Sequence, residues 1–159
     1  MLILNLVDCY IYSGEFEKAM TALEDLPKTK PFENRDYLFR KGLIYEGIGD
    51  FEKASSLLVQ ATEEDPDHFV THLRLGAFYV RQDLLKEGID CLRVAYELSS
   101  CVEIRVNLAQ ALLTRSGEGD LDEALKLFKS VYEEDDDEDF DALIGLSRVY
   151  DKRGNAGLA

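Results

Sequence analysis

His68 and His72 stand four residues apart, with Asp65 and Asp67 just upstream. On a helix that spacing puts both imidazoles on one face, as a pair of zinc ligands requires. Two histidines alone make a poor site, and the His-Glu-x-x-His order is absent, so ordinary histidines are the expectation. Seven acids run unbroken from Glu133 to Asp139. A calcium loop needs a central glycine and a closing glutamate, and the run has neither. A solvated linker is expected there, with a docking strip for a basic partner as the functional alternative. No phosphate-cradling glycine loop and no nucleophile elbow occurs, and paired carboxylates carry no information in a chain with 32 acids. Cys9, Cys91 and Cys101 form an odd set with no close pair. They read as reduced, partly buried thiols of an intracellular, cytoplasmic protein. These readings point to no catalytic residue, no metal and no cofactor.

The cations are scarcer. Lys and Arg total 18 against 32 acids, a net charge of −14. That balance argues against nucleic acid and against an anionic membrane surface, since both need basic protein surface. The apolar start, Met1 to Val7, lacks a basic flank, and Asp8 interrupts it, so neither a secretion signal nor a membrane span is expected. Arg40, Arg74, Arg81 and Arg148 matter if the fold gathers them, so the elements that carry them come next.

A repeat organises the chain. Gly14, Gly49, Asp83, Gly119 and Gly154 are separated by 35, 34, 36 and 35 residues. Ala19, Ala54, Gly88, Ala124 and Ala159 keep the same intervals, as do Leu23, Leu58, Leu92 and Phe128. Tyr10, Tyr45, Tyr79, Leu112 and Tyr150 precede the turn positions. Each unit reads as two helices with a tight turn. Leu38, Gly42 and Tyr45 make one helical stripe, and Phe51, Ala54, Leu58 and Ala61 make the next. Gly49 suits a left-handed helix end, and Asp50 can cap the helix that follows. Asp120 and Glu123 have capping-box spacing. The small residues let paired helices approach, and the large residue four places later fills the space beside them. Helices are predicted near 2–12, 16–26, 34–47, 51–64, 67–81, 85–98, 101–115, 121–134 and 139–153. A hairpin of this size cannot bury its apolar face alone, so stacking into a solenoid follows. The turn from Thr114 to Asp120 is about three residues longer than its equivalents and should protrude.

These residues resemble the tetratricopeptide repeat family. Leu38, Gly42, Tyr45, Gly49, Ala54, Leu58, Ala61 and Pro66 give nearly the full pattern in one copy. Asp83 for the turn glycine, Gly88 for the alanine, the long fourth turn and the absence of tryptophan depart from it. The resemblance implies an all-α, right-handed solenoid of about 4.5 repeats, near 1–33, 34–67, 68–101, 102–138 and a partial 139–159, within one domain over 1–159. It also implies a concave groove, protein or peptide binding, and no catalysis. The RNA-reading pentatricopeptide family has a similar period, but the charge and the glycine and alanine pattern disfavour it. Some tetratricopeptide proteins bind acidic chaperone tails through a Lys and Asn set. The first-unit positions of that set hold Leu4 and Asp8 here, so no such binding is expected.

In the family, the first helix of each hairpin lines the groove. With Leu38, Gly42 and Tyr45 inward, Phe39, Arg40, Leu43 and Glu46 are left over on that helix. The equivalents are Leu73, Arg74, Ala77 and Val80, then Val106, Asn107, Gln110 and Leu113, then Ile144, Gly145, Arg148 and Asp151. Phe39, Leu73, Val106 and Ile144 form an apolar row, with helix–helix core as its alternative reading. Arg40, Arg74 and Asn107 form a polar row, and Arg81 and Arg148 extend it into a positive strip. Arginine suits bidentate capture of carboxylates, although surface pairing with nearby acids is the plainer alternative. An extended peptide would lay apolar side chains on one row and hydrogen-bond to the other. The second functional reading is a small cytosolic chaperone or adaptor for assembly or secretion clients, acting as a dimer. Neither end of the chain has a polar cap, and a helix over 139–153 would leave Leu143, Leu146 and Tyr150 partly uncovered. A segment of a longer array, or end-to-end pairing, is therefore expected.

Overall fold

The structure, a computed structural model, describes residues 2–26, 34–134 and 140–156. Among them every regular element is an α-helix: α1 (Leu2–Tyr12), α2 (Phe16–Glu24), α3 (Asn34–Ile48), α4 (Phe51–Glu64), α5 (Phe69–Arg81), α6 (Leu85–Leu98), α7 (Val102–Arg115), α8 (Asp120–Glu134) and α9 (Phe140–Ala156). No helix is long and apolar enough to cross a membrane among the described residues. The chain forms two compact units, residues 1–71 and 72–159, with the boundary inside α5.

In the first unit, α1 pairs with α2 and α3 with α4. Gly14 and Gly49 take φ of 76° and 90°, the left-handed conformation that a side chain resists. The next residue then turns its N–H back to a tyrosine carbonyl, Glu15 to Tyr10 at 2.8 Å and Asp50 to Tyr45 at 2.9 Å. Asp50 caps α4 by accepting from the Lys53 N–H at 3.2 Å. Lys53 also pairs with Asp50 and lies 5.1 Å from the Tyr45 ring centre. Glu15, Lys18 and Tyr10 repeat that arrangement one hairpin earlier. The core is Val7, Ala19, Leu23, Leu26 and Ile44, and Tyr37 packs against it. Gly42 lies so close to α4 that a Cβ would fall 2.9 Å from Leu58 Cγ.

In the second unit, α5 and α6 approach through two glycines. A Cβ on Gly76 would fall 2.7 Å from Leu92 Cγ and 3.0 Å from the Gly88 carbonyl oxygen. A Cβ on Gly88 would fall 3.0 Å from the Gly76 carbonyl oxygen and 2.7 Å from Val80 Cγ2. Gly88, a departure from the repeat pattern, is thus the residue that lets this pair close. Asp83 adopts the turn conformation without being glycine, at φ 62°. Helix α7 packs on α6, α8 and α9 and buries side chains almost all round, from Ile104 to Leu113.

The longer turn is built differently from the others. Ser116 and Gly119 are both left-handed, at φ 51° and 80°, and residues 114–119 are exposed. The expected capping box does not form. Asp120 sits inside the first turn of α8 and turns its carboxylate back to Arg115, at 2.7 and 2.6 Å, and to the Gly117 N–H at 2.7 Å. Glu123 reaches Arg93 instead. A bidentate guanidinium outcompetes a single backbone donor for the acid. Helix α9 holds both sides of this turn. Lys152 donates to the Leu113 carbonyl at 3.0 Å and to Ser116 Oγ at 2.5 Å, and Arg153 pairs with Asp122. These contacts put cations against the carboxyl end of α7 and the acidic first turn of α8.

Two further expectations are corrected. Gly154 makes no turn: it lies within α9, which runs on to Ala156. Nothing at this position demands a positive φ, and a glycine is tolerated in an exposed helix at modest cost. Cys9 and Cys101 are exposed, and only Cys91 is half-buried. Burial, with Asp90 and Glu87 nearby, pushes the Cys91 thiol up to about 11.

Candidate functional site

The proposed groove residues fall on the first helices of the hairpins. In the first unit, Phe39, Arg40 and Leu43 are all half-buried on α3. Arg40 is engaged by its neighbour. Its Nε donates to one oxygen of Asp8 at 2.8 Å and its Nη2 to the other at 2.9 Å. A third donor meets the Asp36 carbonyl at 3.4 Å. The Arg40 side chain is 15% exposed, so this bidentate pair uses its fork inside the protein. Sequence reasoning placed Asp8 at a groove position but did not join it to Arg40. The available signal was that Asp8 and Leu43 are equivalent, which sets Asp8 on the helix beside α3.

In the second unit, the apolar row divides. Leu73 and Val106 are 3% and 8% exposed, and Leu113 is buried too. These three belong to the helix–helix core. Ile144 stays open, and Gly145 lies under the Phe128 ring, where a Cβ would fall 2.4 Å from ring carbons. The polar positions remain accessible. Arg74, Ala77 and Asn107 are half-buried, whereas Arg81, Gln110 and Arg148 are exposed. The Asn107 amide donates to the Glu103 carbonyl at 2.8 Å and leaves its oxygen available. Hollows of about 380 and 450 Å³ lie in the first unit, lined by residues such as Gly14, Phe16 and Ile48 or Leu6, Tyr10 and Ala22. None of the groove residues lines them.

His68 stands just before α5 and His72 within it. His68 accepts the Thr71 N–H on Nδ1 at 3.3 Å, and the same nitrogen lies 2.8 Å from Thr71 Oγ1. His72 is half-buried on α5. Among the described residues no group of three or more His, Cys, Asp or Glu is placed to hold a metal. Of the acidic run, Glu134 accepts from the buried Arg105 at 2.5 Å, which draws its pKa down. Residues 135–139 lie outside the described residues.

Alternating short helices, left-handed turn residues and small-residue notches define the class: an all-α helical repeat of the solenoid type. Residues 36–68 match the tetratricopeptide repeat family model. The match falls on the second hairpin, α3 and α4. No curated protein sequence matches the chain. Among solved structures, MamA from strain AMB-1 shares 21% identity at a TM-score of 0.73, covering 96% of this chain and 81% of its own. PilF of Pseudomonas aeruginosa shares 16% at a TM-score of 0.81, covering 96% and 68%. The first repeat domain of Spaghetti (RPAP3), solved with an HSP90 peptide, shares 20% at 0.67, covering 76% and 94%.

Proposed function

We propose that this chain is a non-catalytic interaction scaffold that holds a peptide or partner segment against the groove face of its first helices. The observation that carries this is the open polar row of the second unit: Arg74, Arg81, Gln110 and Arg148, with Ala77 and Asn107 between them. Leu73 and Val106 give the row a packed floor. Guanidinium and amide groups offer directional hydrogen bonds to an extended backbone or to acidic side chains. In the first unit, Phe39 and Leu43 supply apolar contact, and Arg40 binds a partner carboxylate only by exchanging Asp8. The peptide-bound Spaghetti domain, of the same fold, supports a peptide as the ligand class. A few anchors rather than the whole face would set the affinity.

The experiment compares co-purifying proteins of the wild type with those of an Arg74→Glu plus Arg148→Glu variant, identified by mass spectrometry. The expected result is loss of the specific partners from a variant that keeps its helical spectrum. An unchanged partner set refutes the assignment of this face.

A further inference from the structure

The buried residues are apolar with few exceptions, and one exception is a cation, Arg105 of α7. It holds the slot that Leu38 holds in α3 and Leu143 in α9. Arg105 is 6% exposed, between the fully buried Ile104 and the buried Val106. Its Nη1 donates to Ser130 Oγ of α8 at 3.1 Å and its Nη2 to Glu134 at 2.5 Å. Its Nε is buried and meets no acceptor among the described residues. The Glu134 side chain is itself 62% exposed, so water screens much of its charge. A buried guanidinium so placed is under-neutralised, and a stronger anion would be held tightly.

Ser130 Oγ marks where that anion would be attached. The hydroxyl donates to the Leu127 carbonyl at 2.8 Å while it accepts from Arg105, which points it at α7. A phosphoryl group on this oxygen stands within reach of the guanidinium fork, which takes phosphate oxygens two at a time. Lys126, exposed and one helical turn before Ser130, adds a cation on the same face of α8. The sequence around Ser130 suits the addition. Glu133 and Glu134 follow it by three and four residues, the first acids of the run to Asp139. Acids placed there complement a kinase whose substrate cleft is basic. Ser130 is half-buried and begins the last turn of α8, the part of a helix that opens at least cost.

We propose that Ser130 is a phosphorylation site, modified by an acid-directed serine kinase and read by Arg105. Oγ bonds to the γ-phosphorus of a nucleoside triphosphate, and the bond from that phosphorus to the β–γ bridging oxygen breaks. The nucleoside diphosphate leaves, and the hydroxyl proton passes to the kinase's base. When the turn closes again, the phosphate takes the fork and displaces Glu134, because like charges one helical turn apart repel. The Arg105–Glu134 link between α7 and α8 is thereby replaced by one from Arg105 to the phosphoserine. This site does not depend on the polar row.

The test uses the whole folded chain with a purified acid-directed serine kinase, magnesium and ATP, and mass spectrometry locates the phosphate. Ser130 should be labelled to near completion, and Ser130→Ala should remove that label. Phosphorus NMR then titrates the phosphoserine. Beside Glu133 and Glu134, a phosphate left in water titrates above its ordinary value of about 6, whereas one held by Arg105 titrates below it. The expected result is a value below about 6 that rises above it in Arg105→Gln. If Arg105→Gln fails to fold, the wild-type value decides alone. Labelling confined to other residues such as Thr62 or Ser116, or labelling of Ser130 only in urea-unfolded chain, overturns the proposal. So does a phosphoserine that titrates at or above about 6, or a low value that Arg105→Gln leaves in place.

Discussion

Replacing Gly76 by alanine sets two opposing effects against each other. Alanine is the better helix former by about 1 kcal/mol in a helix interior, so an unobstructed site would gain stability. Gly76 is obstructed. Its Cβ would lie 2.7 Å from Cγ of the fully buried Leu92 and 3.0 Å from the backbone oxygen of Gly88. The leucine has little room to rotate, and the carbonyl moves only if α6 moves. Overpacking of this kind costs about 1–3 kcal/mol. The balance is a net loss of about 1 kcal/mol, a fall in Tm of roughly 2–4 °C for a chain of this size. Urea unfolding followed by far-UV circular dichroism measures it, with the slope checked for constancy. Gly154→Ala serves as control, because no atom stands within 4 Å of its Cβ. It should gain most of the propensity term, about 1 kcal/mol. Gly88→Ala presses on the same contact, so its cost and that of Gly76→Ala should sum to more than the double variant loses. A Gly76→Ala protein as stable as wild type would refute the close-approach reading of this hairpin.

Asp83→Gly should stabilise the chain by about 0.5–1 kcal/mol, because the turn already holds φ 62°, where a side chain is disfavoured; a fall in the urea midpoint contradicts it. The Arg115 guanidinium, aided by the Gly117 N–H, holds the Asp120 carboxyl below its ordinary 3.8. Its stabilising contribution is therefore present above that value and disappears as pH falls through the lower folded value. Asp120→Asn should flatten the acid limb of stability against pH below about 4, and an unchanged limb assigns that dependence to other acids. Iodoacetamide at neutral pH should label Cys9 and Cys101 in the folded chain well before Cys91, whose thiol is half-buried and titrates near 11; mass spectrometry of labelled peptides reads the order, and early loss of the Cys91 thiol contradicts it.

The helices were legible because period, stripe and turn residue agree in each repeat. Ala54, Leu58 and Ala61 share one buried face of α4, whereas Phe51, read into the same stripe, is exposed at the start of the helix; Gly14, Gly49 and Gly119 mark turns that take a positive φ. What escaped are features fixed by neighbours far along the chain. Asp8 meets Arg40 from 32 residues away, and Lys152 reaches Leu113 across 39. Asp120 had the right spacing for a cap, but Arg115 offered it a stronger partner. Leu73 and Val106 occupied groove positions by register yet are buried. For Val106 the reason is that α7 is enclosed on three sides by α6, α8 and α9. A single helical wheel cannot show how many sides are enclosed. At Gly154 the residue type permitted a turn that the backbone did not require.

Lys152 and Arg153 give the extended turn an order of release. Because one α9 side chain grips the end of α7 and the next grips the start of α8, peeling α9 away unclasps the turn from both directions at once. The Arg115–Asp120 link would survive that first event, since both its partners belong to the hairpin left behind. Mechanical unravelling from the carboxyl side should thus pause with the turn loosened but still knotted at its base.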